Sequence, residues 1–152
     1  MERVNQLWVG DITYIPVEDG KFSYLATLLD RYSRRIIGWQ LARDMTEELV
    51  LGALRQAIRA RQPAANLVHH TDRGGQYAGA AYRQVLRRAA MRQSMSGADN
   101  CYDNAFMESC FGTLKTELEM TEYPHQREAH KAIAEYIAYY NLERKHSSLG
   151  YI

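Results

Sequence analysis

The 152-residue chain is long enough to bury the core of one domain, and its 46% hydrophobic and 24% charged residues are ordinary for a soluble protein. The formal net charge of +1 argues against a general polyanion-binding protein, so contacts with nucleic acid would have to come from local clusters of Arg and Lys. No apolar run approaches the roughly 20 residues of a transmembrane helix, and Cys101 and Cys110 form no C-x-x-C zinc unit. We therefore expect a cytoplasmic protein without a membrane segment.

The first third of the chain predicts a three-stranded antiparallel meander. Residues 7–15 alternate between two faces and are rich in β-branched and aromatic residues, which favours a strand. An Asp-Gly turn signal follows, and residues 22–30 read as the antiparallel partner. A tight turn leads to the third predicted strand, at residues 35–41.

Helices and short strands are predicted to alternate in the rest of the chain. A helix begins after Thr46, a good N-cap residue, and ends before Pro63. Residues 66–70 then predict a short strand parallel to the first, because a helical crossover precedes it. Further helices are predicted at 76–90, 103–119 and 126–140, with a short edge strand at 91–95. This order indicates an α/β fold, with a mixed sheet and helices on both faces.

Three carboxylates are candidates for a metal site. Asp72 follows the strand at 66–70, at the carboxyl edge where open α/β sheets place their chemistry. Asp11 lies in the middle of an apolar strand, where a charged group is costly unless it is paired or metal-bound. Glu108 reaches the same point if its helix packs on the sheet, and three carboxylates would suit Mg²⁺ or Mn²⁺. Spacing alone does not exclude the other acidic candidates, Asp30, Asp99 and Asp103.

Basic residues and histidines leave two interpretations open. A cluster on the helix at 76–90 and just after it fits either a nucleic-acid contact or an ordinary solvated face; its members are Arg83, Arg87, Arg88 and Arg92. We expect His69 and His70, which end a strand, to pack or to orient their neighbours rather than to bind metal.

Three motifs indicate which of these carboxylates form the site. They are Trp8-Val9-Gly10-Asp11-Ile12-Thr13-Tyr14-Ile15, His70-Thr71-Asp72-Arg73-Gly74-Gly75-Gln76-Tyr77 and Asp103-Asn104-Ala105-Phe106-Met107-Glu108-Ser109. Together they resemble the catalytic core of bacterial insertion-sequence transposases, which is similar to retroviral integrase. The 35 residues at positions 73–107 match the interval before the Glu of this Asp-Asp-Glu class. Residues 139–151 resemble the closing motif of the family, so the resemblance covers nearly the whole chain.

The resemblance implies a ribonuclease H-like fold and a metal-dependent enzyme. The mixed sheet would have five strands, the first three antiparallel and the fourth and fifth parallel to the first. Residues 1–152 would form a single integrase-like catalytic core domain, without the N-terminal DNA-recognition region of full-length relatives. Asp11, Asp72 and Glu108 would be the catalytic, metal-binding residues. They would hold Mg²⁺ or Mn²⁺, with two ions when DNA is bound, for DNA strand cleavage and strand transfer by water or a 3′-hydroxyl.

The resemblance also implies DNA contacts and partners. Lys115 matches the family's basic residue after the Glu, and it shares a helix face with Asn104 and Glu108. The other expected DNA contacts are Arg73, Arg144 and His146. Transposon ends and target DNA would be the partners of a homo-oligomer, at least a dimer when active, with no organic cofactor. Two alternatives stay open: a ribonuclease H-like nuclease that cuts without joining, and a non-catalytic DNA-binding or assembly module.

Overall fold

The sheet has the five strands that the resemblance implies. The computed structural model describes residues 3–17, 21–72, 74–95, 101–120 and 122–150. The strands are β1 (Leu7–Val17), β2 (Lys21–Asp30), β3 (Ile36–Ala42), β4 (Val68–Thr71) and β5 (Arg92–Met95), in the spatial order β3-β2-β1-β4-β5. β1 pairs antiparallel with β2, β2 pairs antiparallel with β3, and β4 lies parallel to both β1 and β5. The predicted mixed sheet is confirmed.

The helices differ from the predicted boundaries in three places. They are α1 (Glu47–Arg61), α2 (Ala80–Arg88), α3 (Cys101–Met120) and α4 (Gln126–Gly150). The single helix predicted at 76–90 is wrong, because the extended backbone of Gly79 (φ −66°, ψ 154°) separates a 3-10 turn at Gly75–Ala78 from α2. α3 begins earlier than predicted, and α4 continues beyond residue 140. In the described part of the chain, no helix combines the length and apolarity needed to traverse a bilayer.

Thr46 occupies the predicted N-cap position of α1, but its side chain makes no cap hydrogen bond. The first turn is instead closed by the backbone, where the N–H of Leu49 donates to the carbonyl of Thr46 at 3.2 Å. The carboxylate of Glu47 accepts a hydrogen bond from the backbone N–H of Tyr82 at 3.0 Å, which ties the start of α1 to α2.

Two apolar layers form the core, one on each face of the sheet. On the face covered by α1 and α2, Trp8 packs with the apolar side chains of both helices. On the face covered by α3 and α4, Val9 and Ile15 pack with Phe111 and Ile133. Because side chains alternate along a strand, the odd-numbered residues of β1, including Asp11, lie on the face of α3.

Asp30 has a structural role at the end of β2, although spacing alone left it as a metal candidate. Its side chain is completely buried. One carboxylate oxygen accepts a hydrogen bond from the backbone N–H of Asn5 at 3.1 Å, and the other accepts from the N–H and hydroxyl of Ser33 at 3.2 and 2.7 Å. These bonds hold the β2–β3 turn. Asp99 and the side chain of Asp103 lie outside the described residues.

His69 is a core residue with a strongly shifted pKa. It is fully buried, and its Nε2 is 2.6 Å from the hydroxyl of Tyr82, which packs edge-on against Tyr77. Burial lowers the pKa of His69 from 6.5 to about 4, because the charged imidazolium would lose its hydration. The folded protein therefore keeps His69 neutral where an unfolded chain takes up a proton.

We expect the free energy of unfolding to fall between about pH 6.5 and about pH 4 because of this difference. The unfolded chain binds the proton first, so the contribution of His69 is complete above the upper value and is lost below it, by at most about 3 kcal/mol. Urea unfolding at several pH values measures the slope. In His69→Gln the slope should be smaller than in the wild type. An unaltered slope in His69→Gln would contradict this assignment.

Candidate active site

Asp11 lies in the middle of β1, beside the point where this strand outruns its neighbour β4. It pairs with Thr27 of β2 on one side. Its side chain is half-buried, and Oδ1 accepts a hydrogen bond from the backbone N–H of Ile12 at 2.9 Å. The strand therefore presents a carboxylate at an edge that solvent reaches.

Asp72 is the first residue after β4, and the strand register brings it level with Asp11. Val9 pairs with His70 in parallel register, so two further steps along both chains align Asp11 with Asp72. At the position between these two pairs the chains lie close together, since a Cβ built on Gly10 would lie 3.1 Å from the Thr71 side chain. The pairing of β1 with β4 therefore places the two acidic residues side by side.

A cleft of about 480 Å³ contains both aspartates. Asp72 is exposed, and its Oδ1 accepts a hydrogen bond from the backbone N–H of Gly74 at 2.8 Å, which fixes the loop as an Asx turn. The remaining lining is Ile12, Tyr14, Met45, Gly74, Gly75 and Gln76. Two carboxylates that share one cleft suit a divalent ion, which would relieve their mutual repulsion.

Glu108 does not join the two aspartates in this structure. It lies on α3 with its side chain exposed. The adjacent carbonyl of Ser109 accepts a hydrogen bond from Arg34 of the β2–β3 turn at 3.4 Å. Within the described ranges, no three His, Cys, Asp or Glu side chains lie close enough together to hold a metal ion. Asp11 and Asp72 thus share one cleft that Glu108 does not line, and the catalytic and metal-binding roles of all three residues stay predictions.

A break in α3 lies four residues after Glu108. Gly112 has φ 45° and ψ −129°, which only glycine adopts at low cost. A Cβ at this position would meet no atom within 4 Å, so the backbone conformation rather than packing requires the glycine. The dihedral angles of Gly112 therefore set the direction of the segment that carries Glu108.

Tyr77 is a buried neighbour of the aspartates, and no role was predicted for it from the sequence. Its hydroxyl oxygen would lie 3.6 Å from a Cβ built on Gly10, directly beside Asp11. Burial raises the pKa of Tyr77, and electrostatic interactions with Tyr82, Asp11 and Asp72 raise it further. The neutral phenol therefore supports the floor of the cleft. Only its place in the motif after Asp72 hinted at this position.

The paired histidines point to opposite faces of β4. His69 packs in the core, as described above, and Nδ1 of the half-buried His70 lies 2.9 Å from the hydroxyl of Ser94 on β5. Neither residue belongs to the described lining of the carboxylate cleft. Both contacts are of the packing and orienting kind that the sequence led us to expect.

The expected DNA-binding residues fall largely beyond what the structure describes. Arg73 lies outside the described residues. Lys115 and Asn104 belong to α3, and Arg144 and His146 belong to the last part of α4, but their side chains lie outside the described set. Their DNA contacts stay predictions.

The arginine cluster of α2 and β5 is solvent-exposed. All four of its members, Arg83, Arg87, Arg88 and Arg92, are exposed. This exposure fits both a nucleic-acid contact and a solvated helix face, so the two interpretations stay open.

Family models match the chain along its whole length. A model described as "Integrase core domain" matches residues 1–101, and a second model with the same description matches residues 89–152. The first match contains Asp11 and Asp72, and the second contains Glu108 and Lys115.

Curated relatives are similar over nearly all of the chain. The transposase of insertion sequence IS904 from Lactococcus lactis is 42% identical over 97% of this chain and 58% of its own length. Transposase InsF of IS3A from Escherichia coli is 44% identical over 96% of this chain and 51% of its own length. The chain thus spans little more than half the length of these relatives.

Solved structures support the fold. The Mos1 transposase catalytic domain, solved with Raltegravir and Mg, superposes with a TM-score of 0.68 at 16% identity, over 88% of this chain and 71% of that one. The HTLV-2 integrase catalytic core domain in complex with magnesium superposes with a TM-score of 0.55 at 18% identity, over 84% of this chain and 82% of that one. The predicted ribonuclease H-like fold is confirmed by these likenesses.

Proposed function

Because this chain belongs to the integrase core domain family, we propose that it is the catalytic part of an insertion-sequence transposase. It cuts a DNA strand and joins a 3′-hydroxyl end to target DNA, so it is a polynucleotidyl transferase. The observation that supports this function most directly is the alignment of Asp11 with Asp72 in one open cleft. The transposase names of the relatives support DNA as the substrate.

Asp11 and Asp72 hold a divalent cation, Mg²⁺ or Mn²⁺, in this proposal. The donor set fits such an ion, since both side chains offer carboxylate oxygens to the same cleft and the Asx turn at Gly74 leaves Asp72 exposed. Two bound ions would lower the pKa of a nucleophilic water or hydroxyl and stabilise the leaving oxygen of an in-line displacement. The Mos1 catalytic domain and the HTLV-2 integrase core were both solved with magnesium, which agrees with this choice.

Glu108 supplies the third carboxylate after the first part of α3 shifts. Its own side chain is exposed, and Gly112 is the hinge of this shift, in which the buried contacts of Cys110 and Phe111 on the moving segment rearrange. This shift accompanies closing of the site on DNA and metal, because divalent cations would offset the repulsion among three carboxylates and a phosphate. The result is an active site that is complete only with metal and DNA present.

The remaining residues of the proposal bind and orient the DNA. Lys115 and Asn104, on the helix of Glu108, contact phosphates near the reacting bond, and Arg73 does so from the loop after Asp72. Arg144 and His146 contact DNA from the end of α4. We also propose that the active form is a homo-oligomer, which brings two DNA ends to one target, and that it works on the nucleoid in the cytoplasm.

A strand-transfer assay tests this function. The chain is incubated with a labelled duplex that carries a pre-cut 3′ end and with supercoiled plasmid, in Mg²⁺ or Mn²⁺. We expect labelled plasmid, formed only with metal, because the 3′-hydroxyl attacks a target phosphodiester. Nicked plasmid without joined label would indicate the nuclease instead. DNA binding with neither product would indicate a non-catalytic binding module.

A further inference from the structure

Three aromatic rings form a row on the β1–β2 hairpin. Tyr14 packs edge-on against Tyr24, with ring centroids 5.4 Å apart, and its centroid is 6.1 Å from that of Phe22. Tyr14 is 51% exposed and Phe22 is 49% exposed, whereas Tyr24 is half-buried against the core. The aromatic row (Tyr14, Phe22 and Tyr24) thus presents two ring surfaces to solvent on a rigid strand pair.

The middle ring of the aromatic row borders the carboxylate cleft. Tyr14 lines that cleft together with Asp11 and Asp72. A ligand that has a reacting group at the two aspartates would therefore meet the ring of Tyr14 as it leaves the cleft along the hairpin.

One end of the row, at Phe22, borders a cavity with basic residues in its lining. Phe22 lines a second cavity, of about 540 Å³, together with Lys21 and Arg43. Nε of Arg43 donates a hydrogen bond to Oε1 of Gln126 at 2.6 Å, so α4 holds the guanidinium at this cavity. The row therefore joins the carboxylate cleft to a cavity whose described lining contains two basic residues, Lys21 and Arg43.

We propose that the aromatic row binds unpaired bases of a DNA strand whose phosphodiester lies at Asp11 and Asp72, while Lys21 and Arg43 bind its phosphates. Exposed rings beside basic side chains are the combination that binds single-stranded nucleic acid, by stacking and by charge. Base pairs in a duplex already stack on each other, so only unpaired bases offer a free face to these rings. This inference rests on the proposed function, and it adds that the DNA is unpaired next to the reacting bond.

The experiment compares single-stranded and duplex DNA in the absence of metal. Fluorescence anisotropy at low salt with EDTA measures the Kd of the chain for labelled oligothymidylate and for a duplex of equal length. We expect Tyr14→Leu and Phe22→Leu each to weaken oligothymidylate binding by roughly ten-fold, because each substitution keeps apolar bulk but removes a stacking surface. Phe22→Tyr should retain wild-type affinity for the single strand.

A matched control is Tyr32→Leu, since Tyr32 is also 51% exposed but follows the far end of β2. It should bind oligothymidylate as the wild type does. Equal affinity losses for single strand and duplex, or no loss in either Leu variant, would overturn the inference. So would a wild-type dimer that becomes monomeric in both Leu variants by analytical ultracentrifugation, because the row would then be an interface between copies.

The outcomes also separate this inference from the proposed function. If the chain prefers single-stranded DNA but neither cuts nor joins DNA, the proposed enzymatic function is wrong and the proposed role of the aromatic row stands. Conversely, if the chain carries out strand transfer but both Leu variants bind DNA normally, only the proposed role of the aromatic row is wrong.

Discussion

Asp11→Asn and Asp72→Asn are each expected to lower strand cleavage and joining by at least ~10³-fold, because an amide offers no charged oxygen to a catalytic cation. Both substitutions preserve side-chain size. In Asp11→Asn the amide oxygen can still accept the hydrogen bond from the Ile12 N–H, and in Asp72→Asn it can still accept the one from the Gly74 N–H. We therefore expect folding to be unchanged, and the strand-transfer assay measures the loss.

The control for these variants is Asp44→Asn. Asp44 is exposed and directly precedes Met45 of the cleft lining, but it does not belong to the described lining itself. Its activity should stay within about two-fold of wild type. If Asp11→Asn or Asp72→Asn kept comparable activity, the aspartates would not be catalytic, whatever their proximity.

Gly38→Ala is expected to destabilise the fold by about 3 kcal/mol or more, at the upper end of overpacking effects. A Cβ at Gly38 of β3 would lie 2.2 Å from the carbonyl oxygen of Ala53 and 3.1 Å from the backbone N of Ala57. Both atoms belong to the backbone of α1, so no side-chain rotation relieves the clash. The helix would have to move away from the sheet, and its buried face would lose contacts with Leu28 and Ile37. Urea unfolding at pH 7 measures the change.

Gly75→Ala is the matched control for this prediction. A Cβ at Gly75 would meet no atom within 4 Å, so its free energy of unfolding should stay within about 0.5 kcal/mol of wild type. If Gly38→Ala unfolded at the same urea concentration as Gly75→Ala, the close approach of α1 to β3 would be wrong.

The sheet and the pair of aspartates follow from local sequence signals. Alternation along β1 and β2 and the helical crossover before β4 fix which strands pair and in which direction. In the parallel pair of β1 and β4, Leu7 lies opposite Val68. Asp11 and Asp72 each follow four residues after these positions, so they are level with each other. Strand order therefore predicts that Asp11 and Asp72 can be neighbours, whereas their selection over Asp30, Asp99 and Asp103 came from the resemblance.

The position of Glu108 does not follow from such signals. Helical periodicity fixes which face of α3 is buried, by Cys110, Leu114 and Leu118, but it does not fix how far the helix slides along β1. One helical turn is about 5.4 Å, which decides whether a carboxylate reaches the cleft. The break at Gly79 was missed for a related reason, because an isolated glycine is compatible with either a helix or its interruption.

The exposed rings of the hairpin were also not predicted as a site. Alternation assigned Tyr14 to one face of β1, but it did not reveal that α1 leaves this end of the face uncovered. Exposure of Tyr14 and Phe22 depends on where α1 lies across the sheet, which is a tertiary property.

A crystal of the chain soaked in millimolar Mn²⁺ tests the central claim most directly, through anomalous scattering at the manganese edge. We predict a peak in the cleft within about 2.5 Å of a carboxylate oxygen from both Asp11 and Asp72. The same peak should be absent from crystals of Asp72→Asn. A cleft without anomalous density in the soaked wild type, or density bound elsewhere on the chain alone, would contradict the account.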